Sequence, residues 1–429
     1  MNTQVISSEP AATATATATA TTAVATTATA ASSVRSPLFD GPFEGSERAA
    51  ELIARIGDFL HGELAALVRE EGIDHEHGAD RATLQRVWRR SHELGFYGMT
   101  LPTQMGGLGL SLLDHVLIKE SIYASGSPLA PHVFGELSGP PRVGALARYA
   151  TPMQLANFIV PVAQAEKAIC FALTETEAGS DPGALQTQAR LEGDTYVING
   201  RKRFISGSPF ADFAVLMAST SDSPERREIS AFFVDLRQGG VEVKAGYKTM
   251  AGQSTTGDIL LTDCRVPAAN LIGEPGRGLA LALGRITVNR LLHCPGMVGL
   301  ATVALKDARD YARTRRQFGQ PIAQFQAIQH SLADMATQLA AARALMLSTA
   351  RQLDAGGDAR ADASMAKLFC SEAAFRIADA AVQIHGGEGI VQGRRVEFLF
   401  RMLRMYRVLT GTSEIQKNII ARELLGEAP

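Results

Sequence analysis

Residues Gly193–Gly207 read GDTYVINGRKRFISG. Two β-rich runs, TYVI and KRFIS, flank Asn199-Gly200, a dipeptide suited to a tight hairpin turn. The pattern predicts two strands joined at Asn199-Gly200. Downstream, FAVLMAS, ISAFFVDL, VEVKAGY and GDILLTDCRVP add β-branched or alternating segments separated by turn residues. Together they predict an antiparallel β domain over 166–275, ending near NLIGEPGRG.

On the N-terminal side the period changes to that of a helix. ERAAELIARIGDFLHGELAALV, from Glu47, places apolar residues three and four apart. A second helical run, LQRVWRRSHELG, closes at Gly95, and a further helix starts near Ser111 after a Pro/Gly-rich loop. This is an N-terminal helical domain over 41–165. On the C-terminal side, 276–429 reads as helices over 279–315, 322–354, 358–385 and 394–425, which suits a bundle. The order is helical, β, helical: an α+β chain, mainly α. It has no βαβ alternation, and GGLGLS (Gly106–Ser111) lacks the strand-to-helix setting of a dinucleotide fingerprint.

The chain has 429 residues and a formal net charge of −2, with 42 basic and 44 acidic side chains. No basic run forms a nucleic-acid footprint. Residues 12–34 are about half Thr or Ser, too polar to span a membrane. Residues 1–40 read as a disordered Ala/Thr-rich tail. Cys170, Cys264, Cys294 and Cys370 lack CxxC spacing, which argues against a zinc site or disulfide framework and for a reducing, cytoplasmic setting.

Three further stretches carry candidate chemistry. FALTETEAGSDPGA (Phe171–Ala184) sits where helical structure gives way to β structure. It reads either as a polar turn or as a cradle for a diphosphate. RTRRQFGQP (Arg313–Pro321) reads as a helix end or as a phosphate clamp with Phe318 against a cofactor. QIHGGEGI (Gln383–Ile390) reads as a helix stop or as a close backbone approach to a cofactor. His385 has no partner at metal-ligand spacing.

Taken together with ELGFYGMTLPTQMGGLGLS, CRVPAANLIGEPGRG, YARTRRQFGQPIAQFQAIQHSLADM and GTSEIQ, these stretches resemble the acyl-CoA dehydrogenase family from about residue 45 to 427. The resemblance implies a helical N-terminal domain, a central β-barrel-like domain and a C-terminal four-helix bundle. It implies FAD, a homodimer or homotetramer, an acyl-CoA or acyl-carrier-protein thioester as substrate, and electron-transfer flavoprotein or O2 as acceptor. Carried over, Phe171, Leu173, Thr174, Gly179 and Ser180 form the flavin-side segment, with Phe204 and Ser206 beside the ring. Arg315, Phe318 and Gln326 reach the diphosphate and adenosine half. Gln383, Gly386 and Gly387 approach from across a dimer, and Thr412 and Glu414 complete the FAD set. Arg290 and Ser180 meet the thioester arm.

The chemistry implied is α,β-dehydrogenation, in which a carboxylate removes the α proton as the β hydride passes to the flavin. Here this sequence departs from the family. In YRVLTGTSEIQ (Tyr406–Gln416) the base position is Thr410. The alternative family position, just before Arg290, is Asn289. Neither side chain is a base at neutral pH. His293, one helical turn beyond Asn289, and Glu388 in the glycine loop are replacement candidates. Three readings stand: an acyl-thioester oxidoreductase with an atypical or relocated base, a flavin oxygenase or reductase on this fold, or a non-catalytic partner subunit.

Overall fold

The computed structural model describes residues 43–221, 228–357 and 360–426. The tail expected over 1–40 lies outside the described residues. Helices α1 (Glu47–His61), α2 (Glu63–Glu70), α3 (Arg81–Glu93) and α4 (Leu112–Ala124) come first, followed by short helical turns. Ser46 and Ser111 cap α1 and α4 by accepting from Ala49 N and Asp114 N. Asp114 in turn accepts from the Ser46 N–H at 2.9 Å and its hydroxyl at 2.8 Å, tying the two helix starts together.

Seven strands follow: β1 (Ile169–Ala172), β2 (Gln188–Glu192), β3 (Thr195–Ser206), β4 (Phe213–Ser219), β5 (Ile229–Asp235), β6 (Val241–Tyr247) and β7 (Thr256–Pro267). They form one curled sheet in the order β1-β4-β2-β3-β7-β6, with β5 on β4. Alternation places the two faces in different cores. Val215, Met217, Ala231 and Phe233 pack with Phe158 and Ile159. Leu216, Phe232 and Val234 pack with Tyr196 and Ile198.

The hairpin predicted at Asn199-Gly200 is not there. β3 runs unbroken through it, and its register against β7 shifts between Ile198 and Gly200, a bulge. A Cβ on Gly200 would lie 2.5 Å from Thr187 Oγ1, so the glycine serves close strand approach rather than a turn. The tight turn is Gly193-Asp194, between paired Glu192 and Thr195. Most strand pairs are antiparallel as expected, but β1 and β2 each meet β4 in parallel. β1 comes directly off the helical domain and docks through Ala168. The Ala168 carbonyl accepts from Asp212 N at 2.8 Å and Phe213 N at 3.1 Å.

The C-terminal helices are α5 (Gly278–Thr314), α6 (Gln326–Asp354), α7 (Arg360–His385), α8 (Arg395–Tyr406) and α9 (Ser413–Leu425). A two-residue ladder, β8 (Arg316–Gln317) with β9 (Gln320–Pro321), links α5 to α6. α7 packs against α5, α6, α8 and α9, so it forms the axis of the bundle. The segment 394–425, predicted as one helix, is two, because Thr410 and Gly411 are left-handed at φ 56° and 88°. α4 crosses α5 at Gly299, where a Cβ would meet the Glu120 carbonyl at 2.6 Å.

Candidate active site

The end of β1 is stitched to β3 by charge. Lys202 and Glu175 are both buried and meet at 2.6 Å. Lys202 Nζ also donates to the Leu173 carbonyl at 3.2 Å, and Arg203 N donates to the Thr174 carbonyl at 2.8 Å. Glu175 accepts from Gln186 N at 2.6 Å and from the Thr187 N–H and hydroxyl at 3.1 and 2.5 Å. Burial works to raise this carboxyl, but Lys202 and these donors hold it below its ordinary value. Burial lowers the Lys202 ammonium to about 8, against the pull of Glu175. The pair thus brings Phe171, Leu173 and Thr174 beside Phe204 and Ser206. Phe204 is left-handed at φ 57°, with its ring 52% exposed and tilted on Tyr247 at 4.9 Å. Asp258 accepts from the Phe204 N–H at 3.3 Å and the Tyr247 hydroxyl at 2.8 Å, which fixes this strained residue.

A second group lies where α5 and α7 end. Arg315, His385, Gly386 and Gly387 line one cavity of about 420 Å³, together with Tyr311 and Glu388. The His385 ring stacks on Tyr311 at 4.4 Å and contacts the Ala381 carbonyl through Nδ1 at 2.7 Å, so it is a packed histidine. Gln383 and Gln326 are exposed nearby in the chain, and Phe318, at the tip of the β8–β9 turn, is 92% exposed. Glu388 pairs with Arg394 at 2.8 Å in solvent, so this base candidate is a neutralised surface group.

The third group is the loop between α8 and α9. Lys367, fully buried on α7, donates to the Gly411 carbonyl at 2.8 Å. Gln416, also buried, donates to the Thr410 and Gly411 carbonyls at 3.2 and 3.0 Å. Glu372 accepts from Arg407 Nε at 2.9 Å and the Ser413 hydroxyl at 2.7 Å, closing the loop at both ends. Thr412 caps α9, and Glu414 lies exposed in its first turn. The Thr410 N–H has no acceptor among the described residues. Arg290 is buried with its Nε unpartnered. Burial and the charge of Arg360 lower its pKa.

Asn289 and His293 line a small cavity with Glu136, Lys119, Arg142 and Arg285. Burial, then the charge of Lys119, pushes His293 down to about 3. It is therefore neutral and too weak a base for the role considered from sequence. The signal missed in the sequence is charge inside the fold: Lys202, Glu175, Lys367, Glu136 and Arg285 stand far apart along the chain.

The fit to FAD rests on three features. No atom lies within 4 Å of a Cβ built on Gly179, Gly386 or Gly387, so these backbones face open space. Exposed Phe204 and Phe318 offer aromatic faces, and Arg315 offers a cation for a diphosphate.

Fold and site together define a flavin-dependent oxidoreductase. Residues 46–166, 170–264 and 276–425 match the N-terminal, middle and C-terminal domains of acyl-CoA dehydrogenase. The chain belongs to the acyl-CoA dehydrogenase family. It is 37% identical over 348 residues to a 3-(aryl)acrylate reductase of Clostridium sporogenes, covering 80% of this chain and 90% of that one. It is 39% identical over 344 residues to a subunit of the caffeyl-CoA reductase-Etf complex of Acetobacterium woodii, with 80% and 90% covered. Butyryl-CoA dehydrogenase from Megasphaera elsdenii superposes with a TM-score of 0.80 at 29% identity, covering 90% of this chain and 100% of that one. The protein is an FAD-dependent oxidoreductase acting on the CH–CH bond of an acyl thioester. Among the described residues no helix is long and apolar enough to cross a membrane, and no His/Cys/Asp/Glu cluster could hold a metal.

Proposed function

We propose that the protein interconverts saturated and α,β-unsaturated acyl-CoA thioesters, with Thr410 acting through its backbone rather than its side chain. The observation that carries this is the Thr410 N–H, which lacks an acceptor in a loop anchored by Lys367 and Gln416. A thioester carbonyl accepting from it would be polarised as enolate charge develops. Arg290, with its unpartnered Nε, would meet the thioester arm beside Ser180. When bound, FAD supplies hydride transfer at the β carbon. Phe171, Leu173, Thr174, Gly179, Ser180, Phe204 and Ser206 would hold its ring side. Arg315, Phe318, Gln326, Gln383, Gly386, Gly387, Thr412 and Glu414 would hold the remainder.

The exposed Phe318 ring supports a homodimer or homotetramer in which a neighbouring chain completes each cofactor site. The Etf-complex relative supports an electron-transfer flavoprotein as redox partner. The four cysteines, all buried and free, support a reducing, cytoplasmic setting. The neutral Thr410 and Asn289 are compatible with the reductive direction, in which water can supply the α proton after hydride transfer. Both reductase relatives point the same way. The test is anaerobic: photoreduced protein is mixed with crotonyl-CoA and oxidised protein with butyryl-CoA, and the flavin spectrum is followed. Fast reoxidation with slow bleaching is expected. No spectral response to either thioester would refute the reading.

A further inference from the structure

Arg285, Asn289 and His293 recur every four residues on α5, hence on one face, and all line a cavity of about 40 Å³. Opposite them stand Lys119 of α4 and the segment carrying Glu136 and Arg142. His115, also in the lining, is driven by burial to about 3, so both histidines are neutral. The formal balance is three cations, Lys119, Arg142 and Arg285, against the single carboxylate Glu136. That carboxylate is already engaged. Its Oε1 takes Lys119 Nζ at 2.5 Å, and its Oε2 accepts from the Tyr123 hydroxyl.

The two guanidinia are left over. Among the described residues Arg142 spends only its Nε, on the Glu136 backbone carbonyl at 3.1 Å. Arg285 has no hydrogen-bond acceptor among the described residues and lies over the Phe171 ring at 4.6 Å. Burial, then the charge of Arg142, lowers Arg285 to about 9. Two half-buried guanidinia that share one already engaged carboxylate favour an added anion. The space admits water-sized groups, so a carboxylate fits it. Paired guanidinium forks suit a carboxylate's two oxygens. Phe171 heads the flavin-side segment, and the His293 ring packs edge-on to Tyr406 at 6.1 Å, four residues before Thr410. The cavity therefore adjoins the reaction centre.

We propose that Arg285 and Arg142 receive a carboxylate at the far end of the acyl group, so that the substrate is the thioester of a dicarboxylic acid. This rests on the acyl-thioester reading above. The test is calorimetric titration of the FAD-loaded protein with chain-matched pairs: glutaryl-CoA against pentanoyl-CoA, and adipyl-CoA against hexanoyl-CoA. In at least one pair the diacid thioester should bind at least about tenfold more tightly. Arg285→Gln should bring that ratio close to one, and Arg285→Lys should keep part of it. FAD content and thermal unfolding identify any variant that has failed to fold, in which case the wild-type ratios alone decide. Equal binding, or preference for the neutral thioester, in both pairs would overturn this inference while leaving the thioester reading standing. So would tighter binding of 4-hydroxycinnamoyl-CoA than of either diacid thioester. Binding of no thioester would overturn both.

Discussion

Replacing Thr410 by glutamate would return a carboxylate to the loop between α8 and α9. The backbone tolerates the change, since Thr410 sits at φ 56° and a β-branched residue holds that conformation at greater cost than glutamate. The loop's anchors reach the carbonyls of residues 410 and 411, from Gln416 at 3.2 and 3.0 Å and Lys367 at 2.8 Å. None uses the threonine side chain, so the loop should keep its shape. A positioned general base is worth about 10²- to 10⁴-fold, or about 3–5 kcal/mol of barrier at 1.36 kcal/mol per decade. The assay is stopped-flow, anaerobic FAD reduction by a saturated acyl-CoA. Thr410→Glu should bleach the flavin at least about a hundredfold faster than wild type. Its rate should rise with pH through the new carboxyl's titration, because the deprotonated form is the base, and FAD content should not change. A variant that folds, holds FAD and binds the thioester, yet bleaches no faster, would refute the assignment of residue 410 to the α-carbon side.

Other consequences follow from the buried charges. Lys202→Met strands the Glu175 carboxylate and should cost about 3–5 kcal/mol of stability with loss of FAD retention, read by denaturant unfolding and flavin absorbance. Glu175 and Glu136 have carboxyls held below their ordinary value of 4.5, Glu136 at about 2 despite the opposing pull of burial. Their stabilisation is therefore present above the unfolded value and lost as pH falls through the folded ones, so Tm should drop steadily below about pH 4.5 and less steeply in Glu136→Gln. His293 is already neutral at about 3, so His293→Ala should leave the shape of the rate–pH profile unaltered between pH 5 and 8.

What the sequence made legible was whatever is local. The capping serine of α4, the stop at Gly95 and the switch of period at the β domain all follow from neighbouring residues. Asn199-Gly200 misled because the same dipeptide serves two purposes. A glycine that turns a hairpin and a glycine whose Cβ would lie 2.5 Å from Thr187 Oγ1 look alike until the partner strand is known. The same limit hid Lys202, whose burial depends on Glu175 reaching it from the end of β1. The charged cavity joins α4 and the loop at 136–142 to α5, more than a hundred and forty residues further along the chain. No spacing rule connects them. The candidate cofactor segments were legible as motifs because each groups its candidate residues within a few positions of one another.

Asn289 links the missing base to the charged cavity. It stands between Arg285 and His293 on the cavity face of α5, so a glutamate there would place a carboxylate beside two guanidinia that lack one. It would neutralise them from within and repel an incoming carboxylate. A neutral residue at 289 is what a site for an anionic acyl end requires. The cost is one of the two positions at which the family resemblance implies a base. Asn289→Glu should therefore act in opposite directions on two readouts. In whichever chain-matched pair the wild type discriminates, binding of the diacid thioester should weaken by at least about tenfold relative to its neutral counterpart, the scale of a lost charge-assisted pair. Thermal stability should rise, because the internal carboxylate pairs with Arg285 in the absence of any ligand. Calorimetry and thermal unfolding of the same FAD-loaded preparation measure both. A variant that keeps the wild-type ratio between the two thioesters would show that the substrate's far end never meets Arg285.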